Sequence, residues 1–301
     1  MSEKRNYVII EAPSILGLRP TGVQHLPEAL KKAGLIERLK ATNVGTVNPI
    51  FSYDSKRDPT THLLNAETIR IFSKELSKAL CVQLEKESFP IVLGGDCSIL
   101  IGCLLGLRKL GRHGLFFIDG HSDFYQPQAS PTGEVADMDL AFVSGRGPEI
   151  LSDIDGLKPF VRDEDIVVFG YRDTEESARY GSQNVNNTSM NVFDISRIRI
   201  LKFNEAVSVA LSKILTNQEL SGFWIHLDAD VLDDKIMPAV DYRLYCAGIE
   251  FSELSLLLRR LVESKKAIGM TVTIFNPYLD PEGQIADKLV SSIVSGLSLR
   301  D

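Results

Sequence analysis

Leu115-Phe116-Phe117-Ile118-Asp119-Gly120-His121-Ser122-Asp123 joins a short apolar run to a cluster of ionisable side chains. The run is aromatic and aliphatic throughout and reads as a strand covered on both faces. Asp119, His121 and Asp123 then follow at a spacing of two. Residues two apart in extended chain point to the same side, so the spacing predicts that these three groups converge. The pattern recurs at two other strand ends. The run 91–93 leads into Gly94-Gly95-Asp96-Cys97-Ser98, and the run 223–227 leads into Asp228-Ala229-Asp230, then Val231-Leu232-Asp233-Asp234. A lone Asp-x-Asp usually serves as a loop or a cap. Several apolar strands that each deliver ionisable groups at their carboxyl ends point to one shared site. Ligands of open α/β sheets bind outside those ends.

Further strands are expected at 7–10, 166–169, 191–193 and 268–274. Helical patterns lie between the strands, at 66–86, 99–110, 204–215, 252–264 and 285–297. Ser252 with Glu253 offers an N-cap and a first-turn acid. Strand–helix alternation along the whole chain implies an α/β fold, a parallel sheet with helices on both faces. The segments 132–138, 181–190 and 233–246 read as long connections. No repeat, low-complexity segment or linker interrupts the pattern, so residues 1–301 are expected to form a single domain.

Composition narrows the function. The 301 residues are 44% hydrophobic and 24% charged, ordinary for a globular protein, and 33 Lys+Arg against 40 Asp+Glu give a net charge of −7. Neither an overall basic charge nor a basic stripe suggests nucleic acid, and anionic membrane is disfavoured on the same grounds. Cys81, Cys97, Cys103 and Cys246 form no Cys-x-x-Cys pair and no disulfide framework. The start, MSEKRNYVII, lacks the apolar length of a signal peptide. A cytoplasmic, small-molecule enzyme is the expectation.

Carboxylates crowded at one place repel one another unless a cation lies among them. Oxygen donors with one imidazole suit Mn²⁺ or Mg²⁺, and also Zn²⁺ or Fe²⁺. The motifs then resemble those of the arginase/agmatinase (ureohydrolase) family. Gly94-Gly95-Asp96-Cys97-Ser98 resembles its GGDHS, Asp119-Gly120-His121-Ser122-Asp123 its DAHxD, and His226 to Asp233 its SxDxDxxDP. Met237-Pro238-Ala239-Val240, Gly170-Tyr171-Arg172-Asp173 and Asn276-Pro277 match further family runs. The resemblance implies a three-layer α/β/α fold around a mostly parallel eight-stranded sheet. It implies two Mn²⁺ per chain, with one metal or Zn²⁺/Fe²⁺ as alternatives, and a homo-oligomer, trimer or hexamer. It also implies hydrolysis of a linear, non-peptide C–N bond in a guanidino or amidino compound by a metal-bridging hydroxide. Carried over by position, Cys97, Asp119, Asp123 and Asp228 would hold one metal. Asp119, His121, Asp228 and Asp230 would hold the other. Asp123 would pass the proton to the leaving amine, and Glu175 and Asp173 would contact substrate.

This chain departs from the family in several places. Cys97 replaces a histidine and is read either as a thiolate ligand or as a small buried thiol. An anionic thiolate would weaken the metals as Lewis acids, which favours a more reactive substrate such as an N-hydroxyguanidine. Ile274 stands where the family binds the guanidinium with an acid, and Ala136 where it has a lid histidine. Tyr125 replaces an Asn and Asp234 a Pro. Asp137 and Asp139 are candidate replacements for the lost counter-charge. His226 is two residues from Asp228, so the same side of the strand is open to it; a strand histidine satisfied by a neighbour is the plainer reading. Two other functions remain in view: a catalytically degenerate structural or regulatory protein, and a one-metal amide deacylase. The second lacks the tandem His-His its chemistry needs.

Overall fold

The computed structural model describes residues 5–50, 52–244 and 247–298, so Cys246 lies outside the described residues. Eight strands form the centre: β1 Tyr7–Ala12, β2 Thr42–Thr46, β3 Phe89–Gly94, β4 Gly114–Ile118, β5 Ile166–Phe169, β6 Asn191–Phe193, β7 Phe223–Asp228 and β8 Ala267–Thr273. They make one sheet in the order β2-β1-β3-β8-β7-β4-β5-β6. Every pairing between these strands is parallel.

Alternate strand residues feed two cores. Phe116, Ile118, Val167, Phe169, Ile225 and Leu227 pack on one side with residues of helices Phe203–Leu215, Phe251–Glu263 and Gln284–Leu297. Leu115, Phe117, Ile166, Val168 and Trp224 pack on the other with helices Ala66–Leu84 and Ile99–Leu110. This is the three-layer α/β/α arrangement, and it explains the continuous apolar runs: both faces of each central strand are covered.

The expected strands and long helices form, with ends shifted by a few residues. β2 is the strand the pattern did not reveal. Its sequence, TNVGT, is exposed along its whole length at the sheet edge and carries no apolar run. Helix Phe251–Glu263 also starts differently. Its N-cap is Glu250, not Ser252, and Glu250 and Glu253 form a reciprocal capping box. Among the described residues, no helix is long and apolar enough to cross a membrane.

The strand order positions the site. β3, β8, β7 and β4 are neighbours, so the loops after β3, β4 and β7 meet at one end of the sheet.

Candidate metal centre

Two aspartates turn the chain as the central strands end. The His121 N–H donates to Asp119 Oδ1 at 2.6 Å, and the Asp230 N–H donates to Asp228 Oδ1 at 2.7 Å. These are Asx turns, in which the amide two residues on closes onto the side chain. The spacing of two therefore brings the groups together through turns, not through continued extension. Asp123 itself has φ +43°.

Other contacts brace these turns. The Gly120 N–H donates to Asp230 Oδ1 at 3.0 Å. Ser122 donates its amide and hydroxyl to the two oxygens of Asp173, at 3.1 and 2.9 Å. Asp173 thus fixes the loop after β4 from the loop after β5. Arg172 donates to the carbonyls of Asp230 (2.8 Å) and Leu232 (3.2 Å) and to Asp234 Oδ1 (3.3 Å). After β3, buried Asp96 accepts from the amides of Ser98 (2.9 Å) and Gly17 (3.3 Å) and from the Ser14 hydroxyl (3.1 Å). Asp96 is a brace that sets Cys97 in place.

The donor atoms fall into three overlapping groups, each with its atoms within 4.8 Å of one another: Cys97, Asp119, His226 and Asp228; Cys97, Asp123 and Asp139; Asp119, His121 and Asp230. The expected residues Cys97, Asp119, His121, Asp123, Asp228 and Asp230 all belong. His226 and Asp139 were not expected as donors. The Cys97 thiol donates to Asp228 Oδ2 at 2.7 Å and lies 3.2 Å from Thr273 Oγ1. His121 Nδ1 meets Asp230 Oδ2 at 2.8 Å. Among the described residues, Asp119 Oδ2, His121 Nε2 and His226 Nε2 are buried there without a hydrogen-bond partner. Buried polar atoms are normally paired. A cluster of unpaired oxygen and nitrogen donors fits divalent cations.

The electrostatics agree. Burial raises the Asp119, Asp123, Asp139 and Asp228 carboxyls well above the usual range, and their neighbouring carboxylates add to it for Asp119, Asp123 and Asp228. Burial likewise raises the Cys97 thiol, with Asp228 and Asp139 contributing. Burial opposes protonation of His121, but Asp230, Asp173 and Asp228 together outweigh it and lift that imidazole to about 9. Burial also works against an ionised Asp230; His121 and then Arg172 reverse this and hold it at about 2. His226 is lowered to about 3 by burial and is a neutral imidazole.

Above the donors lies a cavity of about 360 Å³. Cys97, His121, Asp123, Asp173, Asp228 and Asp230 line it, with Glu134, Asp137, Glu176 and Asp241 on its walls. No Lys or Arg is among the described lining residues. Tyr125, Tyr180 and Tyr242 also line it, and the Tyr242 ring meets His121 edge-on at 5.4 Å. Ile274 and Ala136 line the cavity too, so the guanidinium acid and lid histidine of related sequences have no side-chain equivalent at those positions.

Asp137 faces the cavity and is raised to about 7 by burial and by Glu134. Asp139 is fully buried and absent from the lining, among the donors instead. Glu175, expected at the substrate, is exposed and outside the lining. Glu176 takes that place, because adjacent positions on helix Thr174–Arg179 point in different directions.

A three-layer α/β/α sandwich with carboxylates, imidazole and thiol at its central strand ends defines a metallohydrolase class. Residues 5–299 match the model of the Arginase family, and the chain belongs to that family. The arginase of Staphylococcus aureus (strain MSSA476) is 29% identical over 302 residues, 97% of each chain. That of Bacillus subtilis (strain 168) is 29% identical over 295 residues, 95% of this chain and 96% of the other. The crystal structure of Bacillus cereus arginase superposes with a TM-score of 0.86 at 26% identity, covering 98% of this chain and 99% of that one. Entamoeba histolytica arginase in complex with L-ornithine has a TM-score of 0.83 at 20% identity over 97% and 98%, a likeness of fold alone. Membership places the chain among metal-dependent hydrolases of guanidino compounds.

Proposed function

We propose that this chain hydrolyses a linear C–N bond of a cationic guanidino or amidino small molecule, releasing urea or a urea analogue. The observation that carries the reading is the acid-lined cavity directly above the buried donor cluster, with no Lys or Arg among its described lining residues. A cavity of that composition attracts cations. Divalent cations bound there would acidify a water and polarise the amidino group; Mn²⁺ is the first candidate.

The chain's own residues do the rest. Cys97, Asp119, His121, Asp123, Asp228 and Asp230 hold the cations. Asp123 lines the cavity beside the cations it would help hold, a position from which its carboxylate can pass a proton to the departing amine. Asp137 gives a guanidinium a counter-charge in place of the acid that Ile274 replaces. Tyr125, Tyr180 and Tyr242 offer ring faces to a cationic or apolar tail. Tyr125 in place of Asn argues against ordinary α-amino-acid recognition. An N-hydroxyguanidine, as a more reactive amidino substrate, would suffer less from metals weakened by a thiolate ligand.

The test is metal content per chain after growth with Mn²⁺, beside Cys97→Ser, followed by a screen for urea or hydroxyurea release. Two metals in the wild type, fewer in the variant, and release from a guanidino compound are expected. Absence of any bound metal would sink the reading.

A further inference from the structure

We propose that His226 is a metal ligand in this chain, and that with Cys97, Asp119 and Asp228 it forms a four-donor cation site at the deep end of the centre. The proposal rests on the metal-dependent reading above and concerns which residues hold the cation and which cation they select.

The four donor atoms lie within 4.8 Å of one another and all four residues are buried. A tetrahedral centre with bonds of about 2.0–2.3 Å sets its donors roughly 3.3–3.8 Å apart. To reach it, the hydrogen-bonded Cys97–Asp228 pair, now 2.7 Å apart, opens as the thiol gives up its proton, and the 3.9 Å separation of His226 from Asp119 closes slightly. His226 Nε2 stands 3.9 Å from Asp119 Oδ2 and 4.0 Å from Asp139 Oδ2. Those separations are too long for hydrogen bonds and suit two donors that share a cation. Nε2 has no hydrogen-bond partner, and the residue has no exposed surface. The ring is nevertheless held firmly. Nδ1 lies 2.8 Å from Thr271 Oγ1, and the face stacks on Phe117 at 4.9 Å. An imidazole fixed at one nitrogen, with the other bare and aimed at carboxylates, has the outer support typical of a metal ligand.

The sequence gives the arrangement its logic. In the related motifs a histidine stands at the Cys97 position and a serine at the His226 position. This chain exchanges the first for a thiol and gains an imidazole at the second. Positions 226 and 228 lie on the same side of β7, and Asp228 is a member of the group. The nitrogen donor has moved from the loop after β3 to the interior of β7. Asp119 belongs both to this group and to the group with His121 and Asp230, so it can bridge the two positions. Thiolate and imidazole are softer than carboxylate, so the deep position selects Zn²⁺ or Co²⁺ over Mn²⁺. The outer position, with Asp119, His121 and Asp230, keeps an oxygen-rich set that suits Mn²⁺.

The experiment is a crystal structure of the Co²⁺-loaded wild-type protein by anomalous diffraction, with metal content of His226→Ser and of Cys97→His/His226→Ser. An anomalous peak within bonding distance of His226 Nε2 and Cys97 Sγ is expected. His226→Ser should fall from two equivalents to one, and the double variant should regain the second with its preference moved towards Mn²⁺. A peak beside Cys97 that leaves His226 Nε2 out of reach, or two full equivalents in His226→Ser, would overturn the proposal. Cobalt only at His121 and Asp230 overturns it while leaving the hydrolase reading intact; no cobalt at all removes both. The wild-type crystal decides the ligation even if the single variant does not fold.

Discussion

Arg172 has a side chain only 2% exposed, and it ties the turn after β7 to the loop after β5. Replacing it with Met would leave the carbonyls of Asp230 and Leu232 short of a donor and take a cation from buried Asp234. Breaking such a buried pair from one side costs about 3–5 kcal/mol. Arg172→Met should lower the urea midpoint accordingly and reduce metal content. Asp137 carries a different prediction. If it is the counter-charge for the substrate, Asp137→Asn should raise KM about tenfold or more while changing kcat less, because a charged hydrogen bond contributes about 1.5–3 kcal/mol. An unchanged KM would remove Asp137 from substrate binding. At this scale much of the site was legible. Asp119, His121, Asp123, Asp228 and Asp230 announce themselves by falling just after apolar runs. His226 did not, because a histidine inside a buried strand has an ordinary explanation until its Nε2 is found unpaired. Asp139 had no local signal as a donor; its place depends on how the segment after Met138 folds under the loop. Glu175 and Glu176 are adjacent, and only the helix orientation tells them apart.

The loop after β3 shows how an element is positioned by its backbone. A Cβ on Gly95 would stand 1.7 Å from the Ser14 carbonyl oxygen, so the loop after β1 and the loop after β3 touch main chain to main chain. The Asp96 N–H donates to that same carbonyl at 3.1 Å, and Gly95 O accepts from the Ile274 N–H at 2.9 Å. Gly95→Ala must push these apart. It should destabilise by at least about 1–3 kcal/mol in denaturant unfolding, the range for overpacking, and displace Cys97 enough to weaken cation binding. The double glycine of Gly94-Gly95-Asp96 was visible in the sequence, but its reason was not, since Ser14 is remote in the chain. Helix Phe251–Glu263 makes the same point. Ser252 looked like the cap, yet the cap is Glu250, two residues earlier, and Glu250 and Glu253 close the box. Helix starts depend on where the preceding chain arrives. β2 was illegible for another reason: an exposed edge strand buries nothing, so it leaves no hydrophobic period to read.

For the whole molecule, the centre links stability to pH and to cations. Without cations, burial and mutual repulsion raise Asp119, Asp123 and Asp228, burial raises Asp139, and Asp137 is raised to about 7 from 3.8. The folded chain then keeps protons that the unfolded chain releases above the ordinary carboxyl range. Stability falls as pH rises, for Asp137 between 3.8 and about 7. His121, raised to about 9 from 6.5, adds to the loss above neutrality. His226 acts oppositely between about 3 and 6.5, but it is one group against several. Chelator-treated protein should therefore melt at a lower temperature near pH ~8 than near pH ~5. Added divalent cation should reverse that order, because it binds the ionised carboxylates of the folded state. Equal melting temperatures at both pH values would show that these carboxyls are not strained by burial.

The sheet order also governs how the chain can be made. β3 pairs on one side with β1, early in the sequence, and on the other with β8, which begins only at Ala267. During synthesis the Ile91-Val92-Leu93 edge waits unpaired while most of the protein emerges, and such an edge is a template for wrong pairing. Asp228 also arrives late, 131 residues after Cys97. A chain halted before β8 would expose this apolar edge, without the strand that joins the two halves of the sheet.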